Sequence, residues 1–376
     1  MKIVQYFIKK NVIYNKNSKF EFYNSKGVVI TKTGSYVPGF AIKNDKFVQN
    51  SFLDEKGNPF LKKNKEIIDK FSSITGIKER RYADKNHNTS DLATFAALKA
   101  LESNEEDKES IDYIILAHNF GDTDFGSKQS GLMPSLASKV KSNLDIKNPY
   151  CVAYDLIFGC PGWLEGVIQA YNFIKVGAAK KCLVIGAETL SRVVDNFDRD
   201  SMIFSDGAGA IIIEESKSEN GVIAHNSVTY TDNNEVDILN FDFSYNSSDE
   251  HKYIKMKGRK VYEFALKKVP EAIKECIGKT NINIDEIKKV FIHQANMKMD
   301  EAIVKRLYKL YDKEIPENIL PMNIQSLGNS SVATIPTLFD QVLKNKIINH
   351  KLNQNDIIVF ASVGAGMNVN SMVYKI

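Results

Sequence analysis

The sequence predicts an α/β fold with much parallel sheet, built from two similar halves. Short apolar strands alternate with helices along most of the chain, a pattern typical of strands joined by helical crossovers. Two pairs of segments also resemble each other at a distance: residues 109–119 with 285–294, and residues 181–187 with 356–362. A duplicated domain explains both pairs. Chance similarity between buried strands is the alternative.

The duplication predicts an N-terminal extension at residues 1–27, a first half at 28–216 and a second half at 217–376. Strands are predicted where apolar residues form short runs, at residues 28–33, 113–116, 182–185, 211–213, 290–293, 357–360 and 368–374. Helices are predicted where apolar residues recur at helical spacing, at residues 92–102, 136–144, 261–277 and 300–311.

Local signals mark the ends of several elements. The residues Asn88-Thr-Ser-Asp91 are a typical helix start because their side chains can accept hydrogen bonds from free N–H groups. A turn is predicted at residues 34–38, and the charged residues 44–66 predict a surface loop. Pro270 predicts a kink or break in the helix that contains it.

Composition excludes several classes of protein. At 376 residues and 43% hydrophobic, the chain can bury a large core, and its net charge of +4 does not suggest nucleic-acid binding. Four cysteines without paired spacing argue against a disulfide scaffold and a metal site. Early lysines argue against a signal sequence, and no apolar run is long enough to span a membrane. We therefore expect a cytoplasmic protein with free thiols.

One stretch, Tyr154-Asp-Leu-Ile-Phe-Gly-Cys160-Pro-Gly-Trp163, predicts a strand that ends in a cysteine where a helix begins. Pro161 suits the first helical position, and Gly177 is a plausible helix end. At a helix N-terminus, free N–H groups and the helix dipole lower the pKa of a thiol and make it nucleophilic. The alternative is a buried cysteine that acts as a small apolar residue.

Two further polar residues, His293 and Asn329, are expected near the ends of strands, where such folds present functional groups. With Cys160 they suit acyl transfer: the thiol accepts an acyl group, while imidazole and amide donate hydrogen bonds to an enolate-like oxygen. Residues 362–366, Ser-Val-Gly-Ala-Gly, would let backbone N–H groups approach a substrate carbonyl. Each residue also has a structural interpretation, and His118 competes with His293 on pattern alone.

The chain resembles the β-ketoacyl-acyl-carrier-protein synthase III family of the thiolase-like superfamily. The matching motifs run in the family's order from about residue 28 to the C-terminus. They are Thr33-Gly-Ser-Tyr-Val-Pro38, Thr75-Gly-Ile-Lys-Glu-Arg80, Gly186-Ala-Glu-Thr-Leu-Ser-Arg192, Ser205-Asp-Gly-Ala-Gly-Ala210, Met256-Lys-Gly-Arg-Lys-Val-Tyr262, His293-Gln-Ala-Asn296 and Gly328-Asn-Ser-Ser331.

The resemblance implies a thiolase-like fold, internally duplicated in an αβαβα layered architecture, and a homodimer. It implies that Cys160 carries the primer acyl group, and that His293 and Asn329 promote decarboxylation of a malonyl thioester. The backbone N–H groups of Cys160 and Ala365 would form the oxyanion hole. His118 then becomes structural. No cofactor is needed, because phosphopantetheine belongs to the substrate, as acyl carrier protein or coenzyme A.

Departures from the family pattern bear on the substrate. The tryptophan and arginine that grip the nucleotide of coenzyme A are missing from residues 70–74, which favours primers on carrier protein. Met133 replaces an aromatic residue that reaches the partner's acyl pocket, and Trp163 follows the nucleophile in place of phenylalanine. Met133, Trp163, Gly364 and Gly366 are therefore the predicted substrate pocket.

A basic surface fits an acidic carrier protein. Its predicted members are Lys255, Lys257, Arg259, Lys260, Lys267, Lys268 and Lys298. Of these, Lys257, Arg259 and Lys298 are the proposed docking residues. A solvated lysine face in a lysine-rich protein is the alternative.

The leading functional hypothesis is a condensing enzyme that transfers an acyl group to Cys160 and joins it to a malonyl thioester, as in fatty-acid initiation. Three alternatives stay open at this point. One is a dialkylresorcinol-type ketosynthase that uses longer or β-keto chains on carrier protein. Another is a condensing enzyme or acyltransferase that releases no carbon dioxide. The third is a non-catalytic subunit that only binds carrier protein, although such a subunit would not need Cys160, His293 and Asn329 together.

Overall fold

The computed structural model describes residues 27–102 and 108–376, which form two large β-sheets, three two-stranded sheets and three layers of helices. The predicted N-terminal extension lies outside these residues, except for Gly27. The strands are β1 (Gly27–Tyr36), β2 (Phe40–Lys43), β3 (Glu79–Tyr82), β4 (Tyr113–Ala117), β5 (Asp122–Thr123), β6 (Ser130–Gly131), β7 (Val152–Leu156), β8 (Lys181–Thr189), β9 (Asp206–Ser216), β10 (Gly221–Thr229), β11 (Leu239–Phe243), β12 (Lys252–Met256), β13 (Ile287–Ile292), β14 (Ile357–Gly364) and β15 (Asn368–Lys375).

Eight α-helices connect and cover these strands within the described residues. They are α1 (Asn64–Thr75), α2 (Thr89–Leu101), α3 (Leu136–Asn143), α4 (Gly162–Lys175), α5 (Gly258–Gly278), α6 (Met297–Lys309), α7 (Ile324–Leu327) and α8 (Thr334–Leu343). The predicted start of α2 is confirmed: the side chain of Asn88 and that of Asp91 form a reciprocal capping box.

The two large sheets have the same topology over four strands. The first has the order β1-β9-β8-β4-β7, and the second has the order β10-β15-β14-β13. In both, a parallel pair (β4 with β8, β13 with β14) is followed by two antiparallel neighbours. The internal repeat predicted from the sequence matches β4 to β13 and β8 to β14. Each match therefore connects strands that hold equivalent positions in the two sheets. In sequence, the last strand of the first sheet ends at Ser216 and the first strand of the second sheet begins at Gly221. The division of the chain into halves at 28–216 and 217–376 stays a prediction.

The apolar core explains the layering. One cluster of buried residues joins both sheets through α4 and α8, which therefore lie between the sheets. A second cluster packs α2 and α3 on the outer face of the first sheet, and a third packs α5 and α6 on the outer face of the second. The αβαβα layered architecture is confirmed, because each sheet buries both faces under helices.

Three local predictions need correction. The turn expected at residues 34–38 begins later, because β1 pairs with β9 as far as Tyr36. The loop expected at residues 44–66 includes the first residues of α1. Pro270 does not break its helix, since α5 continues through it to Gly278. Its ring is buried in the outer core, where packing outweighs the lost backbone hydrogen bond.

Candidate active site

Cys160 lies between the end of β7 and the start of α4, as predicted. Helix α4 begins at Gly162, directly after Pro161, so the cysteine faces the helix N-terminus. The backbone turns sharply at Gly159, whose φ is 66°. This turn places the half-buried thiol just after β7 and beside a second loop at residues 364–368.

That second loop brings the two predicted oxyanion-hole residues together. A Cβ on Gly364 would lie 2.5 Å from the backbone N of Cys160, and one on Gly159 would lie 2.8 Å from the N of Ala365. The side chain of Asn368 joins the two loops, because its Nδ2 donates to the carbonyl of Phe158 at 3.2 Å and to that of Ala365 at 2.7 Å. Only glycine permits this approach of two backbones.

His293 follows β13 directly and is 2% exposed. Its Nδ1 lies 2.8 Å from the hydroxyl of Thr334, and that hydroxyl donates to the carbonyl of Ser331 at 2.9 Å. Because the hydroxyl has only one hydrogen, Nδ1–H is the donor to Thr334, and Nε2 keeps its lone pair. Burial lowers the pKa of His293 to about 4. The imidazole is therefore neutral at pH 7 and can accept a proton at Nε2.

Asn329 lies in the turn before α8 and is fixed by its backbone. Its N–H donates to the carbonyl of Ile203 at 2.9 Å, and its carbonyl accepts from the N–H of Ser205 at 2.8 Å. Its Oδ1 accepts from the N–H of Ser331 at 2.7 Å. This bond orients the amide, so that the NH2 group is the part of Asn329 that can donate to a substrate oxygen.

Ser331 connects the three predicted catalytic residues. Its hydroxyl donates to Sγ of Cys160 at 3.3 Å, and its N–H bonds to Asn329. Its carbonyl holds Thr334, which in turn holds His293. A thiol, an imidazole and an amide from three separate parts of the chain thus converge on one serine.

The predicted lowering of the thiol's pKa is wrong for the ligand-free protein. Burial raises the pKa of Cys160 to about 11, and the carboxyl of Glu188 also raises it, whereas the Ser331 hydroxyl lowers it. Desolvation of the thiolate therefore outweighs the favourable hydrogen bonds. At pH 7 the free site holds a thiol beside a neutral imidazole.

Three residues of the site, Ser331, Glu188 and Asn119, were not predicted individually from the sequence. Glu188 is 1% exposed, and its Oε1 accepts from Nδ2 of Asn119 at 2.6 Å. That Nδ2 also donates to the Ser331 hydroxyl at 3.2 Å. Glu188 and Ser331 lie inside the family motifs at residues 186–192 and 328–331. Their membership of these motifs was the signal that could have identified them.

The structural interpretation of His118 agrees with its contacts. Its Nδ1 accepts from the N–H of Gly121 at 3.1 Å, and its Nε2 lies 3.1 Å from the carboxylate of Asp155. Asp155 also accepts from the N–H groups of Leu136 and Ala137, at the start of α3. His118 therefore helps to fix a helix to the first sheet.

The predicted substrate-pocket residues fall in different places. The prediction that Trp163 lines the substrate pocket is wrong. Its side chain is 1% exposed and packs on Phe360 in the core between the sheets. Gly364 lies against Cys160, and Gly366 has a φ of 133° and packs on Asn368. Met133 is 93% exposed in the single chain, so nothing in this subunit encloses it.

A cavity of about 710 Å³ lies between α1 and the N-terminal ends of α5 and α6. One residue of its wall, Ile203, accepts at its carbonyl from the backbone N–H of Asn329, one of the predicted catalytic residues. Residues that line it include Phe60, Phe71, Ile74, Arg199, Asn296 and Met299. Phe71 and Ile74 come from the segment that lacks the family's nucleotide grip, and they make that wall apolar.

The basic surface is smaller than the sequence predicted. Lys257, Arg259 and Lys298 are exposed near this cavity, and Arg259 lines it. Lys255 does not belong to the surface: its ammonium is buried and pairs with Asp195 at 2.6 Å and Asp198 at 3.2 Å. Two buried carboxylates explain why this lysine faces inward.

The described part of the chain has neither a candidate membrane-spanning helix nor a candidate metal-binding cluster. Among residues 27–102 and 108–376, no helix combines the length and apolar character that crossing a membrane requires. The same residues contain no cluster of three or more His, Cys, Asp or Glu side chains that could hold a metal ion.

Comparison with known proteins gives consistent matches. The sequence profile for 3-oxoacyl-[acyl-carrier-protein] synthase III matches residues 154–233, and the profile for its C-terminal part matches residues 277–376. β-Ketoacyl-[acyl-carrier-protein] synthase III of Porphyra purpurea is 34% identical, over 93% of this chain and 99% of the relative. The enzyme of the same name from Prochlorococcus marinus MIT 9215 is 33% identical, over 94% and 98%. The crystal structure of 3-oxoacyl-[acyl-carrier-protein] synthase III from Aquifex aeolicus VF5 matches with a TM-score of 0.77 at 29% identity, over 93% of this chain and 100% of that one.

Proposed function

Because the chain belongs to the β-ketoacyl-acyl-carrier-protein synthase III family, we propose that it condenses an acyl primer with a malonyl thioester, with Cys160 as nucleophile. The observation that carries the assignment of residues is the convergence of Cys160, His293 and Asn329 on Ser331. The fatty-acid initiation reaction takes precedence over the dialkylresorcinol-type alternative, because the relatives at 33–34% identity bear the β-ketoacyl synthase III name.

In the first step Sγ of Cys160 attacks the carbonyl of the primer thioester, and the thiol proton moves to Nε2 of His293. The backbone N–H groups of Cys160 and Ala365 donate to the carbonyl oxygen as it becomes negative. The C–S bond of the donor breaks, and its thiolate leaves with the proton that Nε2 of His293 had taken up. The products are an acyl thioester on Cys160 and a neutral imidazole at His293, as its pKa of about 4 requires.

In the second step the malonyl thioester replaces the first donor. The NH2 group of Asn329 donates to its thioester oxygen, and Nε2 of His293 takes up a proton from water and donates it to the same oxygen. Both bonds stabilise the enolate formed when carbon dioxide leaves. The enolate carbon attacks the acyl thioester on Cys160, a C–C bond forms, and the C–S bond to the enzyme breaks. The Cys160 thiolate then recovers the proton from His293, so both groups return to their starting states.

The donor of the primer is proposed to be acyl carrier protein. At Phe71 and Ile74 the wall of the cavity is apolar and offers no hydrogen-bond partner to a nucleotide, whereas Lys70, Arg199 and Arg259 line the cavity elsewhere. Lys257, Arg259 and Lys298 lie exposed on the same side and suit an acidic protein. A cytoplasmic location belongs to this proposal, because Cys160 must remain a reduced thiol.

Mixed with an acyl-carrier-protein primer and malonyl carrier protein, the enzyme should release one carbon dioxide per β-ketoacyl product. Lys298→Glu should slow acylation from carrier protein by about tenfold and leave acylation by a simple pantetheine thioester unchanged, because only carrier protein presents acidic side chains and Lys298 is exposed at the start of α6. Lys305→Glu, an exposed charge on the middle of α6, is the matched control. Product without carbon dioxide would instead support a non-decarboxylative enzyme.

We also propose that the protein is a homodimer that pairs through β7. This strand forms the open edge of the first sheet and hydrogen-bonds only to β4 among the described strands. Large apolar side chains lie exposed beside it: Val152 and Ile157 at its ends, Tyr150 before it, and Met133 nearby in the chain. An unpaired, apolar strand edge requires cover from another chain. Met133 would then reach the partner's acyl site.

Val152→Lys combined with Tyr150→Glu should convert the dimer to a monomer at micromolar concentration, because it places charges on the proposed contact. Light scattering during gel filtration measures the change in mass. Val176→Lys is the matched control, since Val176 is also exposed and apolar but follows α4. An unchanged dimer in the double variant would contradict an interface at β7.

A further inference from the structure

A buried chain of hydrogen bonds leads from Glu188, at the end of β8, to the thiol of Cys160. Nδ2 of Asn119 donates to Oε1 of Glu188 at 2.6 Å and to the hydroxyl of Ser331 at 3.2 Å. The hydroxyl then donates to Sγ of Cys160 at 3.3 Å. The thiol is the nucleophile of the proposed reaction, in which Glu188 and Asn119 have no assigned role.

The number of hydrogens on each group determines the direction of the hydrogen bond between Ser331 and Cys160. The amide of Asn119 has two hydrogens, one for Glu188 and one for Ser331. Because Ser331 accepts the second, its own single hydrogen is free to point at Cys160. If the amide were flipped, its oxygen would face Ser331 and accept that hydrogen, and the sulfur would lose its donor.

Glu188 favours the productive orientation. It offers an acceptor to the NH2 group of Asn119, and the backbone N–H of Asn119 also lies within hydrogen-bonding reach of it. An acceptor at this position excludes the flipped amide, whose oxygen would face another oxygen. The carboxyl is 1% exposed, so water does not readily replace it.

We propose that Glu188 is a positioning residue, which acts through the amide of Asn119 to aim the hydroxyl of Ser331 at the Cys160 sulfur. Ser331 is the direct donor to the thiolate that attacks the primer, and Glu188 and Asn119 touch no reacting atom. The inference rests on the proposed function, in which Cys160 is the nucleophile.

A negative charge on the Glu188 carboxyl would disfavour the thiolate of Cys160. The ionisable groups near its carboxyl are Cys160 and Asp206, both acidic. Burial raises the pKa of Glu188 to about 8, so the carboxyl is mostly neutral at pH 7. The Ser331 hydroxyl also lies within hydrogen-bonding reach of this carboxyl. With its proton on Oε2, a neutral carboxyl still accepts from Asn119 at Oε1, adds no repulsion to the thiolate, and competes only weakly for the Ser331 hydrogen. The role of Glu188 is therefore geometric.

The test measures the rate at which iodoacetamide alkylates Cys160, by peptide mass spectrometry, and the apparent pKa of the thiol from the pH dependence of that rate. Ser331→Ala should slow alkylation at pH 7.5 by about tenfold and raise the apparent pKa, because a charge-assisted hydrogen bond is lost. Glu188→Met should approach that loss, and Glu188→Gln, which keeps the acceptor, should stay near the wild-type rate. Ser330→Ala is the matched control, since its side chain lies beside Gly207 of β9.

The double variant Glu188→Met/Ser331→Ala separates positioning from general loosening of the site. If Glu188 acts only through Ser331, the double variant reacts as slowly as Ser331→Ala alone. Additive losses, or equal losses in Glu188→Gln and Glu188→Met, would overturn the proposal. Where Glu188→Met fails to fold, Asn119→Ala with and without Ser331→Ala makes the same comparison. A wild-type protein that is alkylated elsewhere than Cys160 refutes the proposed nucleophile instead.

Discussion

Cys160→Ala should abolish the acyl-enzyme and lower the rate of condensation by about 10⁴-fold or more, because no other group can form the thioester. Intact-protein mass spectrometry after incubation with acyl carrier protein thioesters measures the adduct, and product formation measures the rate. The variant should fold normally, since the cysteine side chain lies at the surface of the site and alanine occupies less space.

Cys151→Ala is the matched control for this experiment. Cys151 is a free, buried cysteine just before β7, and burial raises the pKa of its thiol to about 11, similar to that of Cys160. It lacks the bond from Ser331 and the adjoining oxyanion loop. Its replacement should leave the adduct intact. An adduct that persists in Cys160→Ala would refute Cys160 as the nucleophile.

His293→Ala should lower decarboxylation of malonyl carrier protein by about 10³-fold, because the enolate loses a hydrogen-bond donor and the thiol loses its proton acceptor. Acylation of Cys160 should become slower but remain detectable with long incubation. The two steps are separated by measuring the adduct by mass spectrometry and the release of carbon dioxide independently. A variant with normal carbon dioxide release would contradict the role proposed for His293.

His225→Gln is the matched control, since His225 lies on β10 and makes an edge-to-face contact with Tyr171. A pH series adds a second readout. Burial lowers the pKa of His293 to about 4, whereas an unfolded histidine titrates near its ordinary 6.5. The unfolded chain therefore binds more protons between these values, and the folded protein loses stability as the pH falls through that range. His293→Gln should reduce this loss.

The sequence by itself determined the elements and the identity of the site. Helix α2 followed from Asn88 and Asp91, whose reciprocal cap is a local interaction that neighbouring residues specify. The equivalence of β4 with β13 followed from the repeat, because duplicated strands keep their apolar pattern. Cys160, His293 and Asn329 were predicted as the catalytic residues from motifs, since each motif carries a residue type suited to acyl transfer.

Tertiary structure alone decided how those residues are connected and charged. Trp163 and Lys255 were placed at functional surfaces from sequence, yet one fills the core between the sheets and the other pairs with two buried aspartates. The pKa of Cys160 rises although the helix N-terminus favours its thiolate, because burial depends on both halves of the chain. The hydrogen bonds that lead from Glu188 to Cys160 join residues 69 to 212 positions apart in sequence, and only folding brings such residues together. Local pattern specifies which residues are present, and the packing of distant segments specifies their solvation and their hydrogen-bond partners.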